Sequence, residues 1–292
     1  MSDKYPVLSV ETFTHSGYAS PGVVRAANED RVFGHQQSHD FAVIDGATSI
    51  TGTMINNLTD GAYIAQYMSD YLQGKANQSC EMHEAVLEAN GAFGAHLQKD
   101  YPQIYALAKQ GPAAGGCMMR LHDDGSYSYA QAGDCILLEK KKGQPWQQLT
   151  ADSRWEDDSK YEILMQAMFK QGASIAEVRA DKIICKMIEE HRLKSNVTKP
   201  VLTGEQELAD HICKGRRSLK DVEMLLLMSD GMAWPEGEKE QGFLAAAEKM
   251  QQGFSGYYQE LKALYDADDQ YQKYPRFKHI DDATALKMMF KA

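Results

Sequence analysis

Two apolar runs in this chain, Phe41-Ala-Val-Ile44 and Met224-Leu-Leu-Leu-Met228, each lead straight into an acid beside a glycine, at Asp45-Gly46 and at Ser229-Asp230-Gly231. Runs of this length and composition read as buried strands, so both acids are expected where a strand leaves the sheet and turns. Three further acidic motifs flank turns elsewhere: Arg25-Ala-Ala-Asn-Glu29-Asp30, Gly133-Asp134 and Asp281-Asp282-Ala-Thr284. If the strands bring these acids to one rim, their mutual repulsion has to be compensated. Clustered carboxylate oxygens are the donor set that hard divalent cations prefer, so the pattern points to an oxygen-ligand metal site.

The rest of the composition narrows the class. A chain of 292 residues with 43% hydrophobic residues can build a substantial core. With no shift in composition, no Gly/Ser-rich tract and no internal repeat, it reads as one domain with an embellishment. It has neither a signal-like start nor a run of about 18 apolar residues, so a protein of the cytoplasm is expected. The five cysteines, Cys80, Cys117, Cys135, Cys185 and Cys213, form no C-x-x-C pair, which fits a reducing compartment. A net charge of -10 argues against nucleic acid and anionic membrane as partners. Between Arg179 and Lys220, however, ten Lys and Arg stand against six Asp and Glu.

Strands are expected at Leu8 to His15, Arg31 to His35 and Phe41 to Asp45. Leu58, Ala62, Ala65, Met68 and Leu72 fall at helical spacing from about Asn57. Met82, Val86, Ala89, Phe93 and Leu97 repeat the pattern before Pro102. Strands return at Gly116 to Leu121, Tyr127 to Ala132 and Ile136 to Glu139, with Asp123-Asp124-Gly125 as a hairpin turn. Residues 151 to 220 read as mostly helical and polar. A strand at Val222 to Met228, two helices between about Lys239 and Asp268, and a strand at Ala283 to Phe290 follow. Strands in clusters and helices in clusters indicate an α+β fold.

Taken together, Gly22-Val-Val-Arg25-Ala-Ala-Asn28-Glu29-Asp30, Phe41-Ala-Val-Ile-Asp45-Gly46, Ala132-Gly133-Asp134, Leu226-Leu-Met-Ser-Asp230-Gly231 and Asp281-Asp282-Ala-Thr284 resemble, in order and spacing, the metal-dependent Ser/Thr protein phosphatases of type 2C, the PPM family, in its bacterial form. The resemblance implies a four-layer α/β/β/α sandwich with a central pair of mainly antiparallel sheets. It would cover residues 1 to 292 as one phosphatase domain, with a variable helical flap at about 152–220. It also implies two Mn2+ or Mg2+ ions, bridged by Asp45 and bound by the Gly46 carbonyl, Asp230 and Asp281. Asp30 and Glu29 would act through bound water, Asp134 would correspond to the third-metal position of many members, and Arg25 would hold the substrate phosphate. The guanidinium fork suits that last role, since it can grip two phosphate oxygens at once.

The expected activity is hydrolysis of phosphoserine and phosphothreonine in a phosphorylated protein, by a monomer. A small-molecule phosphatase and a pseudophosphatase that only binds phosphoproteins are the alternatives. One departure from the family is that Ala47 stands where many members have a histidine after the bridging Asp-Gly; a metal-bound water, His35 or His39 could then protonate the leaving group. The basic stretch is expected to form part of the flap, with Lys214, Arg216 and Arg217 docking an acidic phosphoprotein.

Overall fold

The computed structural model describes residues 7–75, 79–236 and 239–291. In chain order its strands are β1 (Val7–His15), β2 (Tyr18–Ser20), β3 (Val23–Val24), β4 (Arg31–Phe33), β5 (Asp40–Gly46), β6 (Met54–Ile55), β7 (Leu58–Thr59), β8 (Ala114–His122), β9 (Ser126–Ala132), β10 (Ile136–Lys141), β11 (Trp146–Gln148), β12 (Cys213–Ser218), β13 (Val222–Met228) and β14 (Ala283–Phe290). The helices are α1 (Asp60–Gly74), α2 (Met82–Asp100), α3 (Pro102–Tyr105), α4 (Trp155–Lys170), α5 (Ile175–Ala180), α6 (Lys182–Leu193), α7 (Lys239–Lys249) and α8 (Phe254–Ala267).

Two five-stranded sheets carry the fold, one in the order β1-β14-β13-β10-β11 and the other β12-β9-β8-β5-β4. Every pairing within them is antiparallel. The apolar runs are explained by burial on both faces. Along β5, Phe41 and Val43 enter the core between the sheets, whereas Ala42 and Ile44 face the residues of α1 and α2. Along β13, Leu225 and Leu227 point inward, and Leu226 and Met228 pack with Phe243, Phe254 and Tyr258 of the other helical layer. Because side chains alternate between faces, a strand covered on both sides must be apolar at every position. The result is the α/β/β/α sandwich that the resemblance implies.

The antiparallel registers also decide where the acids go. β5 ends at Asp45-Gly46, where β8 begins at Ala114, and β9 ends beside that point, at Ala132 opposite Gly116. In the other sheet Met228 pairs with Ile136 and with Ala285, so β13 ends where β10 and β14 begin. The acids at 29–30, 45, 134, 230 and 281–282 therefore all leave the sandwich at the same end.

Two expectations about local structure need correction. The first helix starts at Asp60, capped by Thr59, because Asn56 and Asn57 adopt positive φ and turn the β6–β7 hairpin; Leu58 thus belongs to a strand. The segment 152–220 is α-helical only to Leu193, a short 3-10 turn follows at Gln206–Asp210, and Cys213–Ser218 forms an edge strand paired with β9. With alternating half-buried and exposed residues and no apolar stripe, this strand has no sequence signature of its own. Arg216 and Arg217 lie opposite Ser128 and Tyr127, roughly 15 Å along the strand from the acidic rim. Arg216 pairs with Glu81 and Asp124, and Arg217 reaches the buried Glu139 at 2.9 Å. These arginines are thus held by the body of the protein and are not part of the flap.

Glu139 accepts a hydrogen bond from the Tyr127 hydroxyl at 2.7 Å as well as from Arg217. Arg217→Glu would set a second carboxylate against a buried one. Discounted for the partial exposure of Arg217, the expected loss is about 1–3 kcal/mol, read from urea unfolding midpoints against Arg217→Met, which should lose less.

Candidate active site

The entering segment is built around Asp282. Its Oδ1 accepts from the Gly17 backbone N–H at 2.8 Å, and its Oδ2 accepts from the Glu29 N–H at 2.9 Å and from Arg25 at 2.7 Å. The other arm of the Arg25 guanidinium donates to Glu29 Oε2 at 2.6 Å, while Asp281 lies 3.6 Å from the arm that meets Asp282. Glu29 Oε1 is held by the hydroxyl of Thr59, the residue that also caps α1. Asp30 is fixed from behind by Ser229, whose hydroxyl donates to Oδ2 at 2.8 Å and accepts from the Thr284 N–H. The second acid of the Asp281-Asp282 pair is thus the organiser of the Arg25 segment, a role its position in the sequence does not announce.

Glycine is required where these segments cross. A Cβ on Gly46 would stand 2.4 Å from the Gly61 carbonyl oxygen, and one on Gly231 would stand 1.9 Å from that of Asp282. The Asp-Gly pairs therefore serve close backbone approach as well as turning.

Asp45, Asp230 and Asp281 are half-buried and line the cleft, whereas Glu29, Asp30, Asp134 and Asp282 are buried behind them. Burial, followed by repulsion from Asp30, Asp230, Asp134 and Asp281, pushes the Asp45 carboxyl well above the ordinary carboxylate range. Burial and the nearby Asp282 push Asp30 up to about 7. At Asp281 burial acts in the same direction, but the Lys278 ammonium and Arg25 outweigh it and hold that carboxyl low. The acids expected from sequence as ligands are therefore near enough to one another to share a field.

The donor set suits a hard divalent cation. Asp30 Oδ1 is buried with no hydrogen-bond partner in the protein, and all the clustered acids offer oxygen. Among the described residues, no three acid, histidine or cysteine side chains are arranged as they stand to hold a metal ion. Protein cations occupy part of the space: Lys278 lies 2.5 Å from Asp281 Oδ1, and Arg154 lies 3.1 Å from Asp134. Arg154 lies outside the motifs, and Lys278, although only three residues before Asp281, carries no local mark of burial against that acid.

His35 and His39 fall in the loop between β4 and β5, at the end of β5 remote from Asp45. A seven-residue strand separates them from the cleft by roughly 20 Å. They are excluded as proton donors to the leaving group.

No protein-family model matches this sequence, and no curated protein matches it either. Solved structures share the fold. The Mycobacterium tuberculosis serine/threonine phosphatase PstP/Ppp superposes with a TM-score of 0.55 at 16% identity, covering 98% of this chain and 100% of its own. Stp1 from Staphylococcus aureus, also a serine/threonine phosphatase, gives 0.56 at 17% identity over 97% of this chain and 95% of its own. The catalytic domain of PstP in complex with two manganese ions gives 0.54 at 15% identity, covering 97% and 99%.

The raised Asp30 carboxyl sets a pH dependence. An unfolded Asp ionises near pH 4, whereas in the fold Asp30 keeps its proton to about 7, so the native state binds more protons between those values. In chelator-treated protein, stability should therefore fall as pH rises through this window. Urea midpoints at about pH 5 and about pH 8 should differ less in Asp30→Asn than in the parent chain. The fold of this chain is that of the bacterial serine/threonine phosphatases.

Proposed function

We propose that this chain is a metal-dependent phosphomonoester hydrolase that removes phosphate from phosphoserine and phosphothreonine in proteins. The observation that carries this reading is the convergence of Asp45, Asp230, Asp281, Asp30 and Asp134 at one end of the sandwich beside Arg25. Asp45, Asp230 and Asp281, with the Gly46 carbonyl, are the proposed direct ligands, and Asp30 and Glu29 would act behind them. The fold shared with PstP, which holds two manganese ions, supports Mn2+ or Mg2+ as the metal.

When bound, two such cations neutralise charge on a phosphate dianion and make a water acidic enough to attack near neutral pH. Binding and orienting the substrate fall to the protein. Arg25 is held by Glu29 and Asp282 at the edge of the cleft, and a guanidinium there can orient two phosphate oxygens. Asp282 is the positioning residue, since it fixes both the guanidinium and the backbone of Glu29.

The helical segment from α4 to α6 is the proposed flap of a single phosphatase domain. It reaches the rim through three arginines: Arg154 to Asp134, Arg192 to the Thr48 carbonyl at 3.2 Å, and Arg179 to the Phe277 carbonyl. All five cysteines are free thiols, which supports a cytoplasmic setting. No described helix is long and apolar enough to cross a membrane.

Phosphate release from a phosphothreonine peptide should require Mn2+ and stop with EDTA. Asp45→Asn and Arg25→Ala should each lower kcat/KM by about a hundredfold or more. Turnover of a phosphosugar but of no phosphopeptide would replace the protein substrate with a small one. Bound Mn2+ with no turnover of either would leave a phosphoprotein-binding module.

A further inference from the structure

We propose that Lys278 is a built-in counter-cation that competes with divalent metal for Asp281 and so sets how tightly the cleft holds its metal. The inference rests on the metal-dependent reading of the cleft and concerns a residue outside the acidic motifs.

Lys278 Nζ lies 2.5 Å from Asp281 Oδ1, and its side chain is only 18% exposed. Asp45 is the other carboxylate whose charge bears on the ammonium, and Arg25, 3.6 Å from the same Asp281 oxygen, repels it. The ammonium thus belongs to the acid cleft itself and is not a surface charge that happens to find a partner. Asp281 Oδ1 also accepts the Asp282 backbone N–H at 2.8 Å, so this oxygen is already engaged twice.

The backbone that presents Lys278 is held on both sides. On one side the Phe277 carbonyl accepts from Arg179 Nε at 2.6 Å, and the Phe277 ring packs against Tyr161 of α4. On the other, the buried His279 is paired with Asp266 at 2.9 Å, and Ile280 is hydrogen-bonded in both directions to Tyr18. The four-carbon stem of Lys278 is therefore the part able to move.

A divalent ion bound by Asp281 and Asp45 would meet the ammonium at short range in a partly desolvated site. Like charges there repel by several times their interaction in water. Metal entry therefore requires Lys278 to withdraw from Asp281, and the lost ion pair counts against metal affinity. Conversely, without metal Lys278 offsets part of the repulsion among the acids and supports the fold.

The test is calorimetric titration of Mn2+ into chelator-treated protein, without substrate, for the parent chain, Lys278→Met and Lys278→Arg. Lys278→Met should bind Mn2+ about tenfold more tightly or better, the scale expected for removing one unit charge beside a cation site. Lys278→Arg, which keeps the charge, should stay near the parent. In thermal melts the metal-free Lys278→Met protein should unfold at a lower temperature than the parent, and saturating Mn2+ should raise its midpoint by more. Equal or weaker Mn2+ binding by Lys278→Met would overturn the role given to Lys278 while leaving the metal reading standing. Absence of Mn2+ binding by all three proteins would remove the metal reading, and this inference with it.

Discussion

Repulsion among the carboxylates gathered at one end of the sandwich is the constraint on which the rest of the structure depends. Two like charges about 4 Å apart cost about 4 kcal/mol at the effective dielectric typical of proteins, against a total stability of about 5–15 kcal/mol for a folded domain. Several such pairs cannot be left uncompensated. The chain answers with an Asp30 carboxyl whose affinity for a proton is raised, with the N–H groups of Gly17 and Glu29 on Asp282, and with the cations of Arg25, Lys278 and Arg154. Hydrogen bonds to ionised groups are among the stronger polar contacts available to a protein, which is why backbone donors are committed to this region.

The sandwich makes such a site tolerable by confining charge to its edge. Strands β5 and β13 are apolar on both faces, so a charged side chain within either would have to be buried between layers or under a helix. Only where the strands end can an acid face water or an ion. Antiparallel pairing brings the end of β5 beside the start of β8, and the end of β13 beside the start of β14. Acids far apart in sequence thereby become neighbours. Gly46 and Gly231 allow the crossing backbones to approach closely enough for this to happen.

The helical segment α4–α6 has a small core of its own, with Tyr161, Met165, Phe169, Val178 and Ile184 packed against Tyr271. It is tied down at Asp157, which meets Lys194 at 2.7 Å, Lys199 at 3.0 Å and Lys160 at 3.1 Å. Two of these lysines, Lys194 and Lys199, belong to the basic stretch from Arg179 to Lys220, and they are engaged in holding the segment together. Arg192 acts elsewhere. Burial and the nearby Arg154 lower its guanidinium to about 10, and it joins α6 to the loop just after Asp45-Gly46. Movement of these helices would therefore be felt directly at the cleft.

The double-faced strands, the amphipathic helices α1 and α2, and the acids that end the apolar runs were legible from residues alone, because periodicity and turn chemistry are local properties. The edge strand β12 was not: its alternation is weak, and it exists because β9 offers an unpaired edge. The same holds for the short strand β11. Asp281 and Asp282 look alike in sequence, yet one lines the cleft and the other is buried under Gly17, Arg25 and Glu29. Lys278 and Arg154 stood out in no pattern. By itself the sequence determined the layered α+β class and the set of acids with the arginine that accompanies them, since those follow from patterning and residue chemistry. Only the tertiary structure decided which acids face the cleft and which positive charges are consumed in holding the fold, because pairs such as Arg25 with Asp282, Arg154 with Asp134 and Arg217 with Glu139 join residues far apart in the chain.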